Sequence, residues 1–303
     1  MLDIDYIRNN KQKIEKNLRD RGVEGNIDKL IELDKTRRNI IQDLQEMREE
    51  QNRKSDQGKP SEEEIEELRQ LKQDIDELDN SLNSVKKEYK QLLKQVPNKI
   101  HPETPRGEED NFNILKKSGK PREFEFEPKN HLELMKDLDL IDFERGAKTV
   151  GSDFYYEKND LVELNQALID YGIDIAKEYN FELLTTPDLA KDSLIESAGF
   201  NPRGEESQIY NIEDTNFSLI GTSEITVLGY HSNEIMDLSE GPKKYAAISH
   251  CFRREAGSYG KSSRGLYRVH QFKKLELFIF CKPSQSEELH KELLEIEEEI
   301  YGG

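Results

Sequence analysis

The first third of the chain carries a narrow apolar seam instead of the broad apolar pattern that a globular core requires. Apolar residues, with Arg37 at one position, recur in alternating steps of three and four from residue 30 to residue 47, and a sustained heptad pattern follows from Ile65 to Val96. A turn-like stretch, SDQGKP at residues 55–60, separates the two seams. The pattern predicts a long antiparallel helical hairpin, whose arms span on the order of 40–50 Å at ~1.5 Å per residue.

Local signals mark the ends of these helices. A charged helix is predicted at residues 3–20, and glycines separate it from a second helix that starts near Asn26. Ser61 and Glu64 have the spacing of a capping box at the start of the heptad helix, which Pro97 ends. The hairpin therefore has defined limits, but its single seam cannot build a globular core.

A different pattern follows a linker. Residues 97–121 are rich in proline, glycine and charge, which is typical of a domain boundary. We divide the chain into a helical arm at residues 1–110 and a mixed domain at 111–303, which makes the fold α+β. The elements predicted in the second domain are a helix and turn at 131–148, a strand at 151–156, an amphipathic helix at 160–179, a strand at 181–186 and an acidic helix at 287–300.

The stretch from Ser249 to Phe280 is the most informative part of the second domain. It predicts a strand over roughly Ser249–Glu255, a glycine- and serine-rich loop at Ala256–Gly265 and a second strand over roughly Leu266–Phe280. Because strand side chains alternate between faces, one face of this hairpin gathers two cations, an aromatic ring and two carboxylates. These residues are Arg253, Glu255, Arg268, Phe272 and Glu276.

This set of side chains suits a ligand that combines a phosphate, a purine and an ammonium group. Arginine binds phosphate oxygens with two parallel hydrogen bonds, an aromatic face stacks on a base, and a carboxylate pairs with an amine. Alternation alone fits an amphipathic hairpin with a solvated charged face equally well. His250 and His270 lie on the same strands and are interpreted as structural.

Composition narrows the function. The chain has 303 residues, 36% of them charged, and a formal net charge of −18. Long-range phosphate repulsion argues against a general nucleic-acid binder, so no DNA partner is expected and RNA contacts need local basic patches. Two cysteines, Cys251 and Cys281, favour a reducing compartment and exclude a four-cysteine zinc site. No apolar run approaches the ~18 residues of a membrane span, so we expect a cytoplasmic protein.

The amino-acid sequence of the hairpin resembles a known family motif. FRRE, then a loop, then RGLYRVHQF and KLEL resemble the second motif of class II aminoacyl-tRNA synthetases, in its seryl-tRNA synthetase form. The helix at 160–179, the following strand and Pro187 resemble the first class II motif, which builds the dimer interface in that family. Thr222 and Glu224 match the family's Thr-x-Glu loop beside the amino-acid pocket. The resemblance runs from Met1 to the last residues.

The resemblance implies ATP-dependent activation of L-serine and transfer to tRNA(Ser), together with tRNA(Sec), by a homodimer. It implies that Arg253 bridges the α-phosphate and the serine carboxylate, while Arg268 holds the outer phosphates; these two are the expected catalytic residues. The remaining expected ATP contacts are Arg254, Glu255, Val269 and Phe272. The expected serine contacts are Thr222, Ser223, Glu224 and Glu276. Mg²⁺ is expected to accompany ATP, and no metal-ligating residue is assigned.

The helical arm has two interpretations. By itself, such a hairpin is most often an oligomerisation coiled coil. The family resemblance implies instead that it grips the long variable arm of tRNA, by shape rather than by sequence. A basic patch predicted near its tip would make the phosphate contacts: Arg37, Arg38, Arg48, Arg53 and Lys54.

The sequence departs from the family pattern at its end. It stops at Gly303, before the third class II motif and its γ-phosphate arginine. The resemblance implies a class II catalytic domain built on an antiparallel sheet, which we therefore expect to be incomplete here, in a fragment that is inactive alone. The alternative is a non-catalytic, synthetase-like coiled-coil protein that binds RNA or has a structural role.

Overall fold

The computed structural model describes residues 2–55, 61–107, 110–200, 207–255 and 266–303. Most of the turn at 55–60 and the whole loop at 256–265 lie outside the described residues. The chain forms two compact units, Met1–Pro121 and Arg122–Gly303. The domain boundary that we placed at residue 110 stays a prediction.

The regular elements described in the first unit are all helices, and they end at Gln95. Its helices are α1 Ile4–Asn9, α2 Lys11–Asp20, α3 Ile27–Ser55 and α4 Glu62–Gln95. The last two pair antiparallel, since Lys29 of α3 binds Glu88 near the end of α4, and Lys54 lies 2.8 Å from Glu67 near its start. The predicted hairpin and its capping box are confirmed, with reciprocal bonds between Ser61 and Glu64.

The single helix predicted at residues 3–20 is wrong, because it breaks at Asn10. The Asn10 side chain donates to the carbonyl oxygen of Tyr6 at 3.0 Å, and its backbone leaves the helical region at φ −129°. Asparagine readily replaces helical backbone bonds with such local side-chain bonds.

The apolar seams pack as the heptads predict. A cluster near the chain's start joins Ile7, Ile14 and Leu30 to Val96, at the end of α4. Farther along the hairpin, the cluster is narrower and joins residues of α3 and α4 alone: Ile40, Leu44, Ile75 and Leu82. The outer hairpin is therefore a two-helix structure, whereas its base is a small four-helix core.

The second unit alternates short strands and helices. Its elements are β1 Ile141–Asp142, β2 Tyr156–Glu157, β3 Glu182–Thr185, β4 Leu189–Lys191, β5 Phe217–Leu219, β6 Lys243–Phe252, β7 Gln271–Phe280, α5 His131–Asp137, α6 Phe143–Thr149, α7 Asp160–Glu178, α8 Asp192–Ser197, α9 Glu224–Tyr230, a 3₁₀ turn Pro283–Gln285 and α10 Ser286–Gly302. The main sheet has the order β3-β6-β7, with β3 parallel and β7 antiparallel to β6.

The two faces of this sheet have different surroundings. On one face, Ala246 and Leu275 pack with Ile175 of α7 and Ile296 of α10. Gly172 of α7 lies so close that an added Cβ would meet Leu275 Cδ2 at 2.7 Å. The other face carries Phe272 and its neighbours two and four residues farther along β7, opposite Cys251, Ser249 and Ala247 of β6. The functional side chains therefore line the face that α7 and α10 leave open.

Three predicted strands differ from the observed ones. The strand predicted at 151–156 is wrong, since only Tyr156–Glu157 is paired and the positive φ of Gly151 and Asp153 turns the chain before it. The strand predicted at 249–255 is instead Lys243–Phe252, because the N–H of Arg254 bonds to Gln208 outside the ladder.

The second hairpin strand begins at Gln271 rather than at Leu266, since the chain turns through residues 266–268. The helices predicted at 160–179 and 287–300 and the strand predicted at 181–186 are confirmed, within two residues at each end. Within the described ranges, no helix combines the length and apolar character that crossing a bilayer requires.

Candidate active site

The carboxylate of Glu276 is the centre of a dense hydrogen-bonded cluster. The hydroxyl of Thr222 donates to it at 2.8 and 2.9 Å, and the Ser223 N–H donates at 2.9 Å. The Ser223 hydroxyl adds a third donor at 2.5 Å. Thr222 and Ser223 immediately precede α9, so the start of this helix holds them against β7.

Lys274 completes the cluster, and sequence reasoning missed it. Its Nζ lies 2.8 Å from Glu276 Oε1 and donates to Thr222 Oγ1 at 3.0 Å. The signal was present, because Lys274 stands between Phe272 and Glu276 in the alternation that predicted the binding face. Alternation assigned Glu276 to the site but gave Lys274 no role, whereas the structure places both side chains there.

The cluster shifts the pKa values of the neighbouring carboxyl groups of Glu276 and Glu224 in opposite directions. Burial opposes ionisation of Glu276, but the hydrogen bonds from Lys274, Ser223 and Thr222 outweigh it and hold its pKa below the usual range. Burial raises the pKa of Glu224, and the nearby Glu276 charge adds to this rise. Glu276 is therefore the fixed anion of the site, and Glu224 is the more readily protonated group.

Arg253 and Phe272 form the second part of the site. The guanidinium carbon lies 5.2 Å from the centroid of the Phe272 ring, as in a cation–π contact. Arg253 Nε also donates to the carbonyl oxygen of Gly221 at 3.3 Å. The structure thus brings a flat aromatic face and a fixed cation together next to the Thr222 loop.

Arg268 and Glu255 form the third part. Arg268 Nη1 lies 3.1 Å from Glu255 Oε2, and the arginine side chain is 41% exposed. Both residues were predicted to lie within strands, but they lie beyond the observed ends of β6 and β7, and Glu255 adopts a left-handed φ of 49°. Their convergence was predicted from alternation, but turns at the open ends of β6 and β7 produce it.

The two other expected ATP contacts lie close by in the chain. Val269 is buried, whereas Arg254 is exposed and fixed through its main chain to Gln208. His270 Nδ1 lies 2.8 Å from the Arg253 carbonyl oxygen, and Arg253 N–H donates back to His270 O at 2.9 Å. These bonds fix the main chain of Arg253, as expected of a structural histidine.

No metal cluster accompanies these groups in the part of the chain that the structure describes: no three His, Cys, Asp or Glu side chains converge there as metal ligands would. The donors and acceptors present instead suit an organic ligand with an ammonium group and phosphates. The assignment of individual residues to individual ligand atoms stays a prediction.

The basic residues of the arm are placed differently from the prediction. Arg37 and Arg38 lie 2.9 and 3.1 Å from Asp34, a carboxylate with no exposed surface, which also faces Arg8 of α1 at 3.5 Å. Arg37 further stacks over Tyr89 at 5.1 Å. These two arginines therefore belong to the base of the hairpin, so their predicted place near the tip is wrong.

The remaining arm cations lie farther out. Arg48 bonds to Asp79 across the hairpin at 2.5 Å, and Lys54 lies 2.8 Å from Glu67. Arg53 and Lys54 belong to the last turn of α3. These pairs are largely exposed, so a polyanion could compete for the cations at low cost.

Two family models match the chain in sequence order. The seryl-tRNA synthetase N-terminal domain matches residues 1–100, and the tRNA synthetase class II core domain (G, H, P, S and T) matches residues 209–302. The first match covers the helical arm, and the second covers the strands that carry the Glu276 cluster.

Curated relatives and solved structures agree with these matches. The chain is 43% identical to the serine–tRNA ligase of Treponema denticola and 44% identical to that of Rubrobacter xylanophilus, and covers 74% and 73% of their lengths. These alignments span 100% and 99% of this chain.

Two solved structures resemble the whole chain. The structure of seryl-tRNA synthetase from Pyrococcus horikoshii complexed with ATP has a TM-score of 0.84 at 31% identity, and the chain covers 74% of it. The cytoplasmic serine–tRNA ligase of Naegleria fowleri in complex with AMP has a TM-score of 0.81 at 28% identity, with 72% covered. Both similarities extend over 100% of this chain. The chain therefore belongs to the seryl-tRNA synthetase family.

Proposed function

We propose that this protein is a serine–tRNA ligase, which activates L-serine with ATP as seryl adenylate and transfers the seryl group to tRNA(Ser). The observation that carries the proposal is the partly buried Glu276 carboxylate, held ionised by Thr222, Ser223 and Lys274 beside an arginine and an aromatic ring. Family membership supports it, since the relatives compared above are named serine–tRNA ligases. A non-catalytic synthetase-like protein would have no use for this cluster.

The serine subsite is assigned to the Glu276 cluster. An ammonium group can replace the present donors to Glu276, and the hydroxyl group of serine can donate to the same carboxylate. Arg253 lies next to the Thr222 loop through Gly221 and is assigned to the serine carboxylate. Glu224 lines the same subsite, where its raised pKa limits the negative charge that surrounds the substrate.

The ATP subsite is assigned to the Phe272 face and the two arginines. Adenine would stack on Phe272, with the buried Val269 behind it and with Arg254 and Glu255 near the base. Arg268 would take the outer phosphates. Binding then requires two local exchanges: the Arg253 guanidinium leaves the Phe272 ring for the α-phosphate, and Arg268 exchanges Glu255 for a phosphate oxygen.

The chemistry needs alignment and charge neutralisation more than a protein acid or base. The serine carboxylate attacks the α-phosphorus in line, and the bond to pyrophosphate breaks. The terminal ribose hydroxyl of tRNA then attacks the carbonyl carbon and releases AMP. Mg²⁺ is proposed as a companion of the ATP phosphates, whose negative charge it would neutralise.

The partners follow from the two units. The hairpin of α3 and α4 is proposed to hold tRNA(Ser), and tRNA(Sec) stays a prediction. A homodimer is proposed through α7, whose Leu164 and Leu168 are 55% and 62% exposed on an apolar stripe. The proposed location is the cytoplasm, where free tRNA, ATP and serine are found together.

Pyrophosphate exchange tests the proposal. The 303-residue chain, and a version extended at its C-terminus through the third class II motif, are assayed with ATP, Mg²⁺ and single amino acids. We expect serine-dependent exchange in the extended version, with threonine and alanine far weaker. The absence of exchange in both versions, or equal exchange with threonine, would contradict the proposed function.

A further inference from the structure

An ammonium group of the protein itself lies on Glu276. Lys274 Nζ contacts Glu276 Oε1 at 2.8 Å and Thr222 Oγ1 at 3.0 Å. These are the carboxylate and the hydroxyl to which the ammonium of serine is assigned above. The side chain of the protein and the substrate therefore compete for the same two oxygens.

We propose that Lys274 is a positioning residue that stands in for the substrate ammonium: it holds Glu276 ionised and oriented until serine arrives, and the ammonium of serine then displaces it. The inference rests on the proposed function and deepens it, because it names the residue that keeps the amino-acid subsite oriented before serine binds. No covalent step is involved, and one cation replaces another on the same anion.

The hydrogen-bond capacity of Glu276 requires such an exchange. A carboxylate has about four acceptor positions. The Thr222 hydroxyl, the Ser223 N–H, the Ser223 hydroxyl and the Lys274 ammonium already supply four donors. A ligand ammonium can therefore form a full hydrogen bond to the Glu276 carboxylate only when one of these donors leaves.

Lys274 is the donor that can leave. The Ser223 N–H belongs to the main chain, and the two hydroxyls sit on short side chains at the start of α9. Lys274 has a flexible four-carbon stem, and its side chain is 28% exposed, against 19% for Glu276. It can swing toward solvent without any change in the backbone.

Charge balance favours exchange over addition. If Lys274 remained, two ammonium groups would share one carboxylate in a partly buried site, and their repulsion would weaken both contacts. Replacing one ammonium group by another keeps the net charge constant. Glu276 is already desolvated, so serine binding does not require that free energy again. A serine analogue without an amine cannot make this exchange.

The surroundings of Glu276 predict what happens without Lys274. The groups that face it are Glu224 at the start of α9, Cys251 on β6 and, farther off, Arg253. With Lys274 removed, burial and the Glu224 charge act on Glu276 with less opposition, so its pKa rises. A protonated Glu276 binds an ammonium poorly, so serine binding should then become sensitive to acid.

The experiment compares Lys274→Met with Lys274→Arg, and with Lys273→Met as the matched control. Lys273 is adjacent but exposed, on the opposite face of β7. Serine KM, ATP KM and kcat are measured by pyrophosphate exchange, in the version of the protein that is active. For Lys274→Met, we expect serine KM to rise severalfold more than that of the wild type as the pH falls from about 8 to about 5. ATP KM of Lys274→Met should show the same pH dependence as that of the wild type. Lys274→Arg and Lys273→Met should keep the flat pH profile of serine KM that the wild type has.

A second measurement uses the wild type alone and does not depend on a variant that folds. Limiting acetic anhydride modifies lysines, and mass spectrometry gives the ratio of Lys274 to Lys273 acetylation, which cancels the reagent lost to free serine. Serine should raise this ratio, because it releases Lys274 to solvent.

The outcomes are distinguishable. Two results would overturn the displacement of Lys274 by serine while the proposed function stands. One is a pH profile of serine KM in Lys274→Met that matches the wild type. The other is an acetylation ratio that serine leaves unchanged or lowers. If neither the 303-residue chain nor its extended version shows serine-dependent pyrophosphate exchange, the proposed function fails and this inference fails with it.

Discussion

The guanidinium of Arg253 lies over the ring of Phe272, 5.2 Å from its centroid, and so covers the face on which a base would stack. The cation and the ring thus contact each other directly. A nucleotide therefore has to offer both of them a better partner at once: a base for the ring and a phosphate for the arginine. This coupling leads to the first prediction.

Replacing Phe272 by leucine should weaken ATP binding while leaving serine binding nearly unchanged. Loss of one stacked base contact costs about 1–3 kcal/mol, so ATP KM should rise by roughly five- to a hundredfold. Phe272→Tyr keeps the ring and serves as the matched control. Both values come from pyrophosphate exchange, and an equal rise in serine KM would show that the ring does not define a separate nucleotide subsite.

Glu276→Gln should have the opposite selectivity. The variant keeps the shape of the side chain but removes the charge that the ammonium of serine requires. A charge left without its partner costs about 2–5 kcal/mol, so serine KM should rise far more than ATP KM. Glu178→Gln, at the exposed end of α7, is the control and should resemble the wild type. Similar losses for both substrates would remove Glu276 from the amino-acid subsite.

The same residue should contribute to acid stability. Because the folded-state pKa of Glu276 is lowered, its contribution is present above the unfolded pKa and is lost as the pH falls through the folded one. The Tm advantage of the wild type over Glu276→Gln should therefore be larger near pH ~7 than near pH ~4. Thermal denaturation of the 303-residue chain measures this without any activity. A Tm difference that is independent of pH would mean that the pKa of Glu276 is not lowered in the folded protein.

Shortening the helical hairpin should separate the two half-reactions. Removing residues 44–78 and joining the helices by a glycine–serine turn takes away the outer seam but keeps the base cluster around Ile7, Leu30 and Val96. Serine activation should persist, while charging of tRNA(Ser) should be lost. Pyrophosphate exchange and aminoacylation report on the two steps. A shortened variant that is folded but cannot form the adenylate would assign the hairpin a structural role instead.

Sequence reasoning succeeded where periodicity was long. The heptads from Ile65 to Val96 fix a helix because each turn repeats the same apolar contact, and the structure contains that helix. The short strand predicted at 151–156 failed because it rested on a few residues, and positive φ at Gly151 and Asp153 decided the local path.

The site was predicted in composition but not in geometry. Arg253, Glu255 and Arg268 were assigned to strands, whereas turns at the open ends of β6 and β7 hold them. Lys274 was missed because alternation alone does not separate a solvated lysine from one that loop residues capture. The partner that captures it, Thr222, lies far away along the chain, so only the fold brings the two together.

The parallel pairing of β3 with β6 also bears on the order of folding. Glu182 pairs with Tyr245 across a long stretch of chain, whereas Phe252 of β6 pairs with Gln271 of β7 across a much shorter one, so loop closure favours the β6–β7 ladder before β3 joins it. The helical hairpin depends on contacts that are closer in sequence. During synthesis we therefore expect the hairpin to form first, and the catalytic residues to meet only when the strand that carries Glu276 has been completed.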